Sequence, residues 1–169
     1  MPNTLVLHDL SEEDASVYLR KSVDGVTYFP APPGIRSCIG CFGCWTKTPG
    51  VCVVKDDSNA FAKLIPEYDV ITVISRCVYG GLSPDIKVVL ERSIAVISPF
   101  FGVVKGEMHH LPRYSRMPAL SYHFYGPEIS EREKDTARKL TEANAVNLYA
   151  PKYETVFHAS LEELREALS

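Results

Sequence analysis

The sequence predicts an α/β protein: a doubly wound parallel sheet with helices on both faces. Three observations predict it. Short β-branched runs alternate with capped helical segments along all 169 residues, the pattern of strand–helix–strand units. The clearest run, DVITVIS at 69–75, is apolar at nearly every position, as a strand covered on both faces reads. No repeat, low-complexity tract or composition shift divides the chain, so 1–169 reads as one domain.

TLVLH at 4–8 is the first buried strand. Ser11 then precedes Glu12, Glu13 and Asp14, an N-cap with a first turn suited to the helix dipole, opening a helix to about Ser22. VTYF at 26–29 is the second strand, stopped by Pro30, Pro32, Pro33 and Gly34. Asp57 caps a helix to about Leu64, with Pro66 beyond it. After the third strand at 69–75, Gly80 and Gly81 make a turn and Ser83-Pro84 opens a helix. Ile86, Val89, Leu90 and Ile94 form its core stripe. Residues 97–114 read as a long irregular excursion ending in MHHLPRY, and 119–124 as the fourth strand. Ser130 and Glu133 form a capping box for a helix to about Asn147. Val156 and Phe157 mark the last strand; Ser160 and Glu163 cap the last helix.

A 46% hydrophobic and 23% charged composition is that of a water-soluble globular chain. The net charge of −3, without a basic run, argues against nucleic acid and anionic membrane as partners. No apolar run approaches the roughly 18 residues of a membrane span. The N-terminus lacks the pattern of a signal peptide, and the expected location is the cytoplasm, where thiols stay reduced.

Four of the five cysteines, Cys38, Cys41, Cys44 and Cys52, lie in one short stretch, CIGCFGCWTKTPGVC. Three-residue spacing lets three thiolates converge from one loop, and Pro49-Gly50 folds the chain back to deliver a fourth, the ligand number of a [4Fe–4S] cluster. A disulfide between two of them, or small apolar packing beside Ile39, Phe42 and Trp45, uses the same residues. In a doubly wound sheet, ligands gather at the carboxyl ends of strands where the winding reverses. Three loops qualify: HDLSEED, SRCVYGG and HFYGPE.

CIGCFGCWTKTPGVCVVKDD, SRCVYGGLSPDIKVVLERS, GEMHHLPRY and the YG of HFYGPE together resemble the flavodoxin-like NAD(P)H-dependent FMN reductases, including their iron–sulfur flavoprotein branch. The resemblance implies a five-stranded sheet in the order 2-1-3-4-5, FMN at the strand ends, NAD(P)H as reductant and a homodimer or homotetramer. It implies that Ser75, Arg76, Cys77, Val78, Tyr79, Gly80 and Gly81 wrap the isoalloxazine ring, with Ser11 in the phosphate loop and Tyr125 and Gly126 as further cofactor contacts. Glycines there would let backbone approach a flat ring, Tyr79 would stack on it, and Arg76 would stabilise negative charge on the reduced form. His109, His110, Arg113 and Tyr114 are the expected substrate or nicotinamide contacts. The activity implied is that of an FMN-dependent NAD(P)H oxidoreductase; an iron–sulfur electron carrier and a non-catalytic binding protein are the alternatives.

The loop HDLSEEDAS departs from that family. It has no glycine, and Asp9, Glu12, Glu13 and Asp14 surround Ser11. One like charge about 5 Å from a phosphate charge costs about 3 kcal/mol at an effective dielectric near 20. A helix dipole returns at most ~2 kcal/mol. The loop is a poor phosphate cradle.

Overall fold

The computed structural model describes residues 2–19 and 23–168. Strand β1 (Thr4–His8) runs at the centre of one half of the sheet, between β2 (Val26–Pro30) and β3 (Val70–Arg76). The hairpin strands β4 (Ile97–Val104) and β5 (Glu107–Pro112) follow, then β6 (Ala119–Tyr125) and β7 (Tyr153–His158). The sheet order is β2-β1-β3-β6-β7 and every pairing in it is parallel. Counting only those five strands, this is the expected order 2-1-3-4-5.

Side-chain alternation divides the core. Leu5, Leu7, Ile71, Val73, Tyr122 and Phe124 face helices α3 (Ser58–Leu64), α4 (Pro84–Arg92) and α5 (Glu131–Asn147). Val6 and Ile74 face the other side, where α1 (Glu12–Tyr18) and α6 (Leu161–Ala167) bring Leu10, Leu19 and Leu164. A strand read by both layers must be apolar at consecutive positions, which explains 69–75.

The caps form as their residue types require. Ser11 and Ser160 accept from the backbone N–H groups of Asp14 and Glu163, and Ser130 and Glu133 complete a reciprocal box. Three local expectations change. Asp57 makes no capping bond; Asp56 Oδ1 instead accepts from the backbone and hydroxyl of Ser58, at 3.2 and 2.7 Å. Helix α1 ends at Tyr18, and Ser22, its expected end, lies outside the described residues. The excursion at 97–114 is not irregular: β4 and β5 pair antiparallel. Their two-residue turn, Lys105-Gly106, has φ of 50° and 85° at its two positions, the geometry that joins tight hairpins. A further single turn, α2 (Gly43–Thr46), interrupts the cysteine loop.

Candidate functional site

The carboxyl ends of β1, β3 and β6 converge where the winding reverses, so the crevice there is built by the residues just past His8, Arg76 and Tyr125. Asp9 occupies its centre. One carboxylate oxygen accepts the backbone N–H of Arg76 at 2.9 Å and the other accepts the Tyr125 hydroxyl at 3.0 Å. Burial, and then the neighbouring Asp9 charge, raise the Tyr125 phenol well above its usual range, so it remains a donor. The hydroxyl of Ser11 is committed to its own helix. It accepts the Asp14 N–H at 3.0 Å and donates to the Asp14 carboxylate at 2.8 Å. Glu12 and Glu13 complete an acidic first turn.

The loop after β3 is closed by reciprocal backbone bonds between Val78 and Gly81, at 3.0 and 2.8 Å. Its central residues, Tyr79 and Gly80, have φ of 51° and 78°, a type I′ turn. A tyrosine in left-handed backbone is strained by roughly 1–2 kcal/mol. It nevertheless stands 90% exposed beside the crevice. Arg76 is also exposed. Strain of this kind, held in place by surrounding contacts, is a recurrent mark of functional loops.

Other residues expected to face a cofactor serve the scaffold. Ser75 is fully buried; its hydroxyl accepts the Ser83 N–H at 2.8 Å and donates to the Arg76 carbonyl at 3.0 Å, fixing the entry to α4. Cys77 packs against the core and its N–H donates to the Tyr125 carbonyl at 2.9 Å. Burial pushes its thiol up, against a backbone hydrogen bond from Gly80 that lowers it. The Gly126 N–H donates to the His158 carbonyl at 3.1 Å. Gly80 is buried against α5: an added Cβ would lie 2.7 Å from the Glu133 carbonyl oxygen and 2.7 Å from Thr136 Cβ. Its lack of a side chain thus serves helix packing as well as its positive φ. We expect Gly80→Ala to destabilise the fold by about 2 kcal/mol in urea unfolding, from backbone strain and overpacking together; a loss below about 0.5 kcal/mol would show that the loop lifts off α5 freely.

Beside this loop an apolar cavity of about 1000 Å³ runs over the α3–α4–α5 face of the sheet. Ile71, Val73, Leu120 and Tyr122 are among its lining, and it is also lined by Val78, Tyr79, Gly80, Gly81, His110 and Cys38. Burial raises the Tyr122 phenol to about 12. Of the four expected substrate contacts, only His110 lines this cavity. Its Nδ1 donates to the Ser98 carbonyl at 2.9 Å, and its ring lies 4.5 Å from Trp45 and 4.3 Å from Phe101. His109, next along the strand, is held between Asn147 at 2.9 Å and Glu107 at 3.3 Å. Arg113 spends its guanidinium on the Ala95 and Ile97 carbonyls, and Tyr114 packs against the core.

The cysteine loop holds a second, smaller cavity of about 50 Å³, lined by Cys38, Cys41, Cys44 and Cys52. All five cysteines of the chain are free thiols, and burial, then the neighbouring Cys52, push the Cys44 thiol up. Among the described residues no group of three or more His, Cys, Asp or Glu side chains is placed to hold a metal ion. The four cysteines expected as [4Fe–4S] ligands line one cavity but are not converged as a ligand set in this arrangement. Cys38 and Cys41 are exposed, whereas Cys52 turns inward to accept Arg92 Nε at 3.0 Å. Arg92, which the sequence reading passed over, is 2% exposed. It also binds both carboxylate oxygens of Asp56 at 2.8 and 3.0 Å, the Arg36 and Val54 carbonyls, and Asn59. It ties the cysteine loop to α4.

No family model matches the chain, and no curated protein matches it in sequence. Solved structures do match in shape. A general stress protein 14 from Treponema denticola, in complex with FMN, superposes with a TM-score of 0.56 at 16% identity over 99% of this chain and 91% of its own. A putative quinone reductase from Klebsiella pneumoniae gives 0.59 at 10% identity, over 99% and 84%. An FMN-dependent NADH-azoreductase from Bacillus anthracis, in complex with FMN, gives 0.56 at 9% identity, over 99% and 97%.

The fold is flavodoxin-like. In a flavodoxin-like sheet the flavin lies at the switch point between β1 and β3, and there the chain offers two unlike halves. The half at 76–81 presents an exposed aromatic, a cation and an adjoining apolar cavity. The half at 9–14 presents carboxylates where a phosphate would rest. No helix among the described residues is long and apolar enough to cross a membrane.

Proposed function

We propose that the chain is a flavin-dependent NAD(P)H oxidoreductase of the flavodoxin-like class. The observation that carries this reading is Tyr79: a strained, 90% exposed aromatic on a closed turn at the β1/β3 switch point. FMN in the two solved neighbours named above supports it. A bound flavin would supply hydride acceptance and electron release to an acceptor. The protein's part is to seat the ring. Tyr79 offers a face for stacking, Arg76 a positive charge for the reduced ring, and the apolar cavity beside them excludes water and receives an apolar acceptor. The exposed apolar side chains of the β4–β5 hairpin, Phe100, Val103 and Met108 at 70%, 75% and 72%, support the expected homodimer or homotetramer.

Fluorescence titration of the flavin-free protein with riboflavin and FMN, followed by anaerobic addition of NADH or NADPH, tests the reading. The expected result is saturable quenching and bleaching of the bound flavin. Tyr79→Ala should weaken flavin binding about tenfold, as loss of one stacked aromatic implies. Absence of binding by either flavin would leave a non-catalytic binding protein on this fold.

A further inference from the structure

We propose that this crevice selects its flavin against phosphate: it takes the uncharged, dephosphorylated isoalloxazine nucleoside class, the class of riboflavin, in preference to FMN. The inference rests on the flavin reading above and concerns a part of the site that reading does not use.

A phosphate held at the β1/β3 switch point needs open backbone N–H groups, hydroxyl donors and a positive field. Specific contacts here occupy or oppose the donors nearest the strand ends. The Arg76 N–H, at the end of β3, is already bound by the Asp9 carboxylate at 2.9 Å, and the Tyr125 hydroxyl, at the end of β6, is bound by its other oxygen at 3.0 Å. The hydroxyl of Ser11 is directed to Asp14. Helix α1 has only seven residues, and its first turn adds Glu12 and Glu13, so its dipole is short and already compensated. The Asp9 carboxylate is held by two donors from two different strands, so it cannot swing away without breaking both bonds. An anion arriving there meets the fixed carboxylate of Asp9 and the acidic first turn of α1, set against the single exposed guanidinium of Arg76. A neutral ribityl chain carries hydroxyls, which donate to carboxylates. Asp9, with spare lone pairs on both oxygens, suits a polyol as well as it repels a phosphate.

Direct binding separates this from the flavin reading itself. Dissociation constants for riboflavin and FMN are measured by fluorescence quenching on the full chain, at low and high ionic strength. The expected result is FMN binding about tenfold more weakly than riboflavin at low salt, one like-charge repulsion after partial screening. Added salt should narrow that ratio, because the discrimination is electrostatic. Asp9→Asn keeps an acceptor for Arg76 and can donate to the Tyr125 oxygen; it should narrow the FMN-to-riboflavin ratio severalfold or more. Glu12→Gln with Glu13→Gln, at exposed positions away from the sheet, gives a second route to a smaller narrowing if Asp9→Asn fails to fold. FMN binding tenfold tighter than riboflavin in the unaltered protein would overturn the proposal while leaving the flavin reading intact. A salt-insensitive ratio would overturn it likewise. Binding of neither flavin would overturn both.

Discussion

Arg92→Met should lower the stability of the protein by about 3–5 kcal/mol, the usual effect of removing one partner from a buried ion pair. Six hydrogen bonds radiate from this one guanidinium, and its side chain is 1% exposed. Methionine fills similar space but donates nothing. The half-buried Asp56 carboxylate, which Arg92 holds below the usual carboxylate range chiefly through the hydrogen bond between them, keeps only its bonds from Ser58. The carbonyls of Arg36 and Val54 lose their donor as well. For a chain of this length the melting temperature should fall by roughly 10 °C. Because those contacts also pin residues 36–59 onto α4, the Cys52 thiol should react faster with a thiol reagent in the variant. A stability change under about 1 kcal/mol would show that the loop is held by packing alone.

The second large effect is acid lability, centred on β6 and β7. Ser121 donates to Glu154 Oε1 at 2.6 Å, so its oxygen accepts from His123 Nε2 at 2.9 Å. His123 Nδ1 must then accept from His158 Nε2 at 3.0 Å, and the two rings stack at 5.2 Å and 4°. In this arrangement His123 carries its proton on Nε2 and is neutral, and His158 donates from Nε2. A second proton on His123 forces His158 to give up that donor or opposes two N–H groups. Burial first, then the facing His158, lower the His123 pKa from 6.5 to about 4, against a smaller upward pull from Glu154. Burial lowers His158 too, opposed by Glu163.

The sign follows from linkage. With a folded pKa below the unfolded one, the unfolded chain binds more protons in between, and stability rises with pH there. The contribution is complete above about pH 6.5 and is lost as pH falls toward 4; for His123 alone it amounts to about 3 kcal/mol. Urea midpoints measured across that window should fall steeply. In His123→Gln, which keeps a donor and an acceptor but gains no proton, the slope should shrink. An unchanged slope in that variant would assign the acid sensitivity to carboxylates elsewhere.

Both effects arise in places the sequence pattern could not reach. The capping pairs at Ser11, Ser130 and Ser160 were legible because each partner lies three residues away. The strands were legible because β-branched runs between breakers have few other uses. The hairpin had a readable signal in Lys105-Gly106. It was missed because its exposed aromatics, Phe100 and Phe101, hide the alternation expected of a strand. Of the site, the loop at 76–81 was placed correctly at the strand ends. The hydroxyls of Ser11 and Ser75, both expected at the cofactor, are bonded to the protein itself. The cysteine spacing suggested four converging ligands, but spacing carries no information about a buried arginine 40 residues further on.

The amino-acid sequence by itself determined the order of the five sheet strands and of the main helices between them, and with them a parallel sheet whose ligand crevice lies past β1, β3 and β6. Those are consequences of propensity, capping and periodicity, each acting within a few residues. Only the tertiary structure decided what fills that crevice: Asp9 meets Arg76 and Tyr125 across 67 and 116 residues. Whether a carboxylate repels a ligand or simply faces water depends on which strand ends the closed sheet sets beside it, and no local rule contains that.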